Sequence, residues 1–504
     1  MGTHLSALDA TFLELEEADE SAHMHIGAVM VFDPLPEGRS PSREELREHL
    51  EGRLTRLPRY LQRLSQTRTG GLSWPEWQDD PAFDLSQHLT RAALPAPGGR
   101  QELAEWSSEF FSKRLDRHRP LWEMAIVEGL ADGRWALAHK THHCLVDGVG
   151  SVDVVDVLFD SEPDASSSRP AGARITRGAR SSAQAEPFAP AHGHSGEGTL
   201  HSVAHAAEEL LGIDTMVHAA QVGAHGMLHP REALGRARSA IELIVREELK
   251  GAPHTSLNEP IGTRRRFEVL QVPLADLKSI RRALGGTVND VVLTATASGL
   301  RALLESRGES LPAQGLRAMV PMNVRVASER LALGNRISSL FLDLPVAPAD
   351  LVARHRETIA RSEALKATGQ AQGSAAVIEI AGLAPPLLHA TLARSLYATR
   401  LFNLTITNVP GAPDTLYAFG TPVREVHPLV PLAAQHAIGV AAVSYDGNVF
   451  FGVVVDPDRV PDLPVFLSAM GDSIEELLAA AGTRGAVTAK GAADAPRSHQ
   501  WTTH

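Results

Sequence analysis

The chain is nearly devoid of cysteine: Cys144 is the single thiol in 504 residues. One thiol can build neither an internal disulfide framework nor a thiolate zinc site, and it fits a reducing compartment. Long apolar runs are missing too. No segment reaches the roughly 18 uncharged apolar residues that a membrane-spanning helix needs. The opening MGTHLSALDATF has neither the basic start nor the apolar centre of a secretion signal. Positive charge is in deficit, with 48 Lys and Arg against 60 Asp and Glu and a net charge of -12. Nucleic-acid binders draw much of their affinity from neutralised phosphates, so no nucleic-acid partner is expected. The composition is otherwise that of a globular protein, 43% hydrophobic and 21% charged, which excludes a mostly disordered chain. The length suits two large domains or about three ordinary ones. A soluble cytoplasmic protein is expected, one able to touch a membrane surface.

Composition divides the chain. Residues 161–198 are rich in Ser, Ala, Gly, Pro and His and poor in large apolar side chains. Such a stretch cannot bury enough surface to offset its ordering entropy. It reads as a linker between a first lobe at 1–160 and a second at 199–481, and 482–504 reads as a tail of the same character. In the first lobe, Ser42-Arg43-Glu44-Glu45 opens a helix with a capping box. Residues 121–129 and 134–142 flank the hairpin signal Asp132-Gly133. After Asp147, the apolar spacing of DGVGSVDVVDVLF predicts a helix. In the second lobe, strand patterns (Phe267–Val272, Arg317–Val320, Ser339–Leu344, Asn403–Asn408) alternate irregularly with helical ones (Asn289–Glu305, Asp350–Ala364). The runs Ile438–Tyr445 and Val449–Val455 flank Asp446-Gly447-Asn448 as a hairpin. Residues 199–250 read as amphipathic helix, either packed on the protein body or lying on a lipid surface. The fold class is mixed α/β in two unequal lobes, without the βαβ rhythm of a doubly wound sheet.

The sharpest local feature is His142-His143-Cys144-Leu145-Val146-Asp147-Gly148, placed where a strand ends and a helix begins. Successive side chains on a strand point to opposite faces, so the two histidines are not expected to share one task. Asp147 follows a short turn, where its carboxylate could fold back and fix the loop. Gly148 permits tight packing or an unusual backbone angle. A purely structural pair is one alternative. A metal site from His142, His143 and Asp147 is another, but it needs helical spacing that the turn at 146–148 opposes. A Cys144–His nucleophilic pair is a third, opposed by strand geometry, which leaves Cys144 to fill a small buried space. No metal is expected.

HHxxxDG at His142–Gly148 resembles the signature of the bacterial wax ester synthase/acyl-CoA:diacylglycerol acyltransferase family. Further segments resemble that family in the same order along the chain. They are the opening LSALDATFLELE, Pro120-Leu121-Trp122-Glu123 with Glu128-Gly129-Leu130, the run Arg264-Arg265-Arg266, Asn289-Asp290-Val291-Val292-Leu293, Gly334-Asn335-Arg336-Ile337-Ser338 and Asn408-Val409-Pro410-Gly411. Ala412 stands where the family usually has a second proline. The matches run from about residue 5 to 455. HHxxxDG alone is shared with peptide-synthetase condensation domains; the ordered set is far more specific.

The resemblance implies the two-lobed chloramphenicol acetyltransferase-like fold of CoA-dependent acyltransferases, with the active site in a channel between lobes. It implies transfer of a long-chain acyl group from acyl-CoA to diacylglycerol or a long-chain alcohol. His143 aligns with the single catalytic histidine of the wider group and is expected as general base, with His142 supporting and Asp147 mainly structural. Gly148, Asn289, Asp290, Thr407 and Asn408 are candidates to line the site or stabilise an oxyanion. For Asn289 the plain alternative is a helix N-cap, with Asp290 adding favourable charge. For Thr407 and Asn408 it is a strand-to-turn junction. Arg264, Arg265 and Arg266 could meet CoA phosphates or form a solvated charge run. Trp122 is expected in the core rather than as a substrate wall. No phosphate-loop or dinucleotide fingerprint occurs, so no cofactor is expected and acyl-CoA is a substrate. The lipid acceptor implies peripheral contact with the inner membrane or lipid droplets. Rival readings are a transferase of the same fold using a carrier-protein thioester or polyketide alcohol, a non-catalytic lipid-binding protein and a metallohydrolase.

Overall fold

Alternating and continuous apolar runs build two six-stranded sheets in this chain, and helices are added where the apolar period lengthens to 3.6. The computed structural model describes residues 3–65, 75–146, 154–163, 251–323, 337–367 and 401–488. The first half supplies β1 (Thr3–His4), α1 (Ala7–Ala18), β2 (His25–Phe32), α2 (Arg43–Leu54), β3 (Gln62–Leu64), β4 (Glu76–Asp79), β5 (Leu89–Ala93), α3 (Arg100–Ser112), β6 (Trp122–Glu128) and β7 (Trp135–His142). The second supplies β8 (Arg266–Pro273), α4 (Leu274–Leu284), α5 (Val288–Ser306), β9 (Leu316–Asn323), β10 (Ile337–Leu344), α6 (Leu351–Ala367), β11 (Leu404–Pro410), β12 (Tyr417–Ala418), β13 (Thr421–Leu429), β14 (Ile438–Tyr445), β15 (Asn448–Val455) and α7 (Leu463–Thr488).

Local chemistry explains several boundaries. Ser42 Oγ accepts from the Glu45 amide at 3.1 Å, and Glu45 returns the bond to the Ser42 amide at 2.7 Å, so α2 starts on a capping box. Asp446 and Gly447 both take positive φ, 42° and 77°, as a two-residue hairpin turn between β14 and β15 requires. Asp132 and Gly133 also take positive φ, 61° and 69°, within the six-residue connection between β6 and β7. The helix expected after Asp147 is present over residues 154–158.

The sheet orders are β12-β13-β2-β7-β6-β5 and β10-β9-β11-β14-β15-β8, with a small third sheet β1-β4-β3. Strand β13 comes from the second half of the chain yet pairs with β2, Val426 opposite Met30. The halves of the sequence therefore do not map one-to-one onto the sheets: β12 and β13 complete the first sheet. On its way β13 passes over β15 at Gly452, where a Cβ would lie 1.7 Å from the Pro428 carbonyl oxygen. Only glycine allows that crossing.

A second link joins the halves. β8 is an edge strand, and α3 lies along it. Ser112 Oγ accepts from the Arg265 amide and Ser108 Oγ from the Phe267 amide, each at 2.9 Å. Four helical residues rise about 6 Å and two strand residues about 6.8 Å, so serines four apart meet amides two apart. The edge is thereby covered rather than left open to another strand. One hydrophobic core follows this junction, running from Val29, Phe111 and Val127 into the second sheet and helices α4 to α7. The last helix continues to Thr488, past the expected start of the tail at 482. The expected linker beyond residue 163 and the amphipathic stretch 199–250 lie outside the described residues.

Candidate active site

Strand β7 ends at His142, paired with His25 at the start of β2. The chain then turns tightly, the Leu145 amide donating to the His142 carbonyl at 2.9 Å. The two histidines part as strand alternation demands: His142 is buried, and His143 is half-buried. The His143 amide donates to the Met24 carbonyl at 2.8 Å. Its ring lies flat against Phe12 of α1, with centroids 4.0 Å apart and planes at 16°.

His142 is spent internally. Its Nδ1 accepts the Cys144 amide proton at 3.1 Å. An amide can only donate, so Nδ1 is unprotonated and the ring hydrogen sits on Nε2. That atom lies 3.2 Å from Glu16 Oε2. The same carboxylate oxygen accepts from the Met24 amide at 3.1 Å, and His25 Nε2 lies 3.8 Å away. Burial works against the Glu16 charge, but the contact with His142, then His25 and the Met24 amide, outweigh it and hold the carboxyl below its ordinary range. His25 is pushed well below an ordinary histidine, first by burial. His23 is lowered to about 4 by burial and then by Arg265 and Arg114. Glu16 was not singled out from the sequence. Its signal was a carboxylate on the apolar face of α1, four residues after Phe12.

A second cluster joins two of the motif asparagines. Asn408, on β11, donates from Nδ2 to Asn289 Oδ1 at 3.1 Å at the start of α5. Asn289 is not the N-cap of that helix. Thr287 holds that position, and Asp290 closes the capping box, its Oδ2 accepting from the Thr287 amide and hydroxyl, both at 2.8 Å. Asp290 is buried in that role. Thr407, half-buried, points to the opposite face of β11 from Asn408.

The three arginines do not assemble into one basic face. Arg264 is exposed and pairs with Asp458. Arg265 is buried and donates to the carbonyls of Gly262, Arg264 and Ser21, and burial lowers its pKa to about 10. Arg266 pairs with Glu268 at 3.1 Å. Trp122 is a core residue, 1% exposed, its indole donating to the Tyr60 carbonyl at 2.8 Å. Cys144 is buried and its thiol is pushed up, first by burial, so it is no nucleophile at neutral pH. Among the described residues no group of three His, Cys, Asp or Glu is arranged to hold a metal. Asp147 and Gly148 lie outside the described residues.

Two interlinked α/β lobes with a histidine pair at the end of a central strand are the architecture of the chloramphenicol acetyltransferase-like fold. A family model described as the wax ester synthase/diacylglycerol acyltransferase catalytic domain matches residues 5–292, and one described as the WS/DGAT C-terminal domain matches residues 333–478. The chain belongs to the wax ester synthase/diacylglycerol acyltransferase family and is an O-acyltransferase. It is 32% identical over 502 residues to "Probable diacyglycerol O-acyltransferase tgs1" of Mycobacterium tuberculosis, covering 97% of this chain and 98% of that one. It is 31% identical over 482 residues to tgs2 of the same organism, which carries the same description, covering 94% and 98%. The solved wax ester synthase/diacylglycerol acyltransferase from Marinobacter aquaeolei VT8 superposes with a TM-score of 0.64 at 26% identity, covering 95% of this chain and all of that one. The starter condensation domain of rhizomide synthetase, at TM-score 0.55 and 13% identity over 95% and 94%, shares the fold alone.

Proposed function

We propose that the chain transfers a long-chain acyl group from acyl-CoA to diacylglycerol, forming triacylglycerol, and also to long-chain alcohols, forming wax esters, with His143 as general base. The observation that carries this reading is the division of labour in the histidine pair. His142 is buried with one nitrogen facing Glu16 and the other holding a backbone amide, whereas His143 is half-buried and braced by Met24 and Phe12. Nδ1 of His143 is buried, which leaves Nε2 to meet a substrate hydroxyl.

Neutral imidazole takes a hydroxyl proton well near pH 7. Nε2 removes the proton as the acceptor oxygen attacks the thioester carbonyl. The tetrahedral intermediate then collapses and breaks the carbon–sulfur bond. The departing CoA thiolate recovers the proton from the imidazolium, so no acyl-enzyme is needed. The flat contact with Phe12 limits the ring's swing, which favours a near-attack geometry. Asn289, its carbonyl oxygen held by Asn408, offers its amide NH2 toward the developing oxyanion. Asp147 is assigned to holding the loop, and Gly148 and Thr407 to lining the site. Acyl-CoA enters as substrate and no cofactor takes part.

The acceptors partition into lipid, so the enzyme works in peripheral contact with the inner membrane or a lipid droplet, from the cytoplasmic side. Among the described residues no helix is long and apolar enough to cross a membrane. The test is release of free CoA thiol from oleoyl-CoA, with and without dioleoylglycerol or hexadecanol. Acceptor-dependent release that His143→Ala abolishes supports the reading. Acceptor-dependent release at the wild-type rate in His143→Ala removes His143 as base.

A further inference from the structure

Helix α1 delivers two side chains, one turn apart, to the histidine pair. Phe12 lies flat on the His143 ring at 4.0 Å, and Glu16 Oε2 meets His142 Nε2 at 3.2 Å. Two short paths then run from that single carboxylate oxygen to the backbone around His143. One passes through the Met24 amide, 3.1 Å from Glu16, and the Met24 carbonyl, which accepts the His143 amide at 2.8 Å. The other passes through the His142 ring to the Cys144 amide at 3.1 Å. Glu16 therefore lies within two contacts of both backbone amides of the turn that presents His143, through a hydrogen bond to Met24 on one path and a 3.2 Å approach to the His142 ring on the other.

A buried carboxylate has to be compensated. Glu16 is 2% exposed, and His142 at 3.2 Å, His25 at 3.8 Å and Arg114 at 3.9 Å surround its oxygens. It also sits in the last turn of α1, where the helix dipole disfavours negative charge. A leucine would fill the same apolar face at less cost but would supply no acceptor.

We infer that Glu16 is a positioning residue for acyl transfer: through His142 and Met24 it fixes the turn that aims the His143 imidazole. This rests on reading His143 as the base. Glu16 is not expected to touch either substrate. What it must provide is an acceptor oxygen at full side-chain reach, more than a negative charge.

Steady-state kinetics of the full-length protein with oleoyl-CoA and dioleoylglycerol test this. Glu16→Gln keeps the reach and an acceptor oxygen but loses the charge. Glu16→Asp keeps the charge but is one methylene short. Gln should stay within about fivefold of wild-type kcat and Asp should lose about 100-fold, the scale of an ångström-sized misplacement, while KM for acyl-CoA moves by less than about threefold in both. In a His142→Ala background the gap between Gln and Asp should shrink at least about fivefold, because residues acting through one another are not additive. Glu16→Ala removes the acceptor altogether and should lose at least as much as Asp. If Ala fails to fold, the Gln and Asp pair decides, since both keep a polar group below the Met24 amide. Equal kcat for Gln and Asp, or Asp above Gln, would overturn the inference, and so would a gap unchanged by His142→Ala. A dead His143→Ala enzyme beside equal Gln and Asp values removes the positioning role and leaves the base. Turnover retained in His143→Ala removes the base reading and this inference with it.

Discussion

Two neighbouring imidazoles sit in unequal surroundings because a strand sends them to opposite sides: His142 is buried against Glu16 and a backbone amide, and His143 is half-buried and stacked on Phe12. Replacing His143 by alanine is expected to lower kcat by about 10²- to 10⁴-fold, the usual worth of a general base, with KM for acyl-CoA little changed. The histidines behind the site carry a pH signature of their own. His23, 5% exposed, is held at about 4 by burial and by Arg265 and Arg114. An unfolded histidine titrates near 6.5. Between those values the unfolded chain binds a proton that the folded chain does not, so stability falls as pH falls. The contribution is full above about 6.5 and reaches a loss of roughly 3 kcal/mol by pH 4, with His25 acting in the same direction. Thermal melts from pH 7.5 to 5 should show this slope, and His23→Gln should flatten it. A slope that His23→Gln leaves unchanged would place the sensitivity elsewhere. The histidine pair stood out in the sequence because imidazole is a side chain that does chemistry and the two fall at the end of one strand. Glu16 did not, because its role depends on a contact 126 positions along the chain, and in sequence it looks like one acid among several.

The element that joins the lobes is α3 on the edge of β8. Ser108 also donates to the Ala104 carbonyl at 2.6 Å, so its hydroxyl is fixed to receive the Phe267 amide. Ser108→Ala leaves that amide without its acceptor and should cost about 1–3 kcal/mol in urea denaturation. A cost below about 0.5 kcal/mol, the level of ordinary surface changes, would mean that water replaces the hydroxyl freely. Elements were the most readable scale. The hairpins at Asp132-Gly133 and Asp446-Gly447 and the capping box at Ser42 are local devices, and the structure has all three. The start of α5 was less readable: Asn289 is a good capping residue by type, but Thr287 reached the cap first because Asp290 stands three residues on to complete the box. The arginine run left two readings open, a phosphate site and a solvated charge run, and in the structure each side chain has its own partner: Arg264 pairs with Asp458, Arg265 donates to the Gly262 carbonyl and Arg266 pairs with Glu268.

At the scale of the whole molecule, the crossing of β13 over β15 binds the two sheets into one body. No composition shift marks it, because pairing of β13 with β2 spans about 400 residues and depends on where the chain returns. Gly452→Ala puts a methyl group into the Pro428 carbonyl and should cost about 3 kcal/mol or more, measured as a lower urea midpoint. Gly482→Ala in α7, where nothing lies within 4 Å of the added carbon, should instead gain up to about 1 kcal/mol by helix propensity. Equal effects at the two sites would mean that the crossing is looser than it looks. The fold, the family and the histidine pair together make lipid acyl transfer the central reading. The most direct check is a product assay with purified protein and labelled oleoyl-CoA, offering dioleoylglycerol and hexadecanol separately and together, beside folded His143→Ala. Labelled triacylglycerol and wax ester that vanish in the variant are the expected result. No ester from either acceptor, with intact folding and no CoA released, would contradict it.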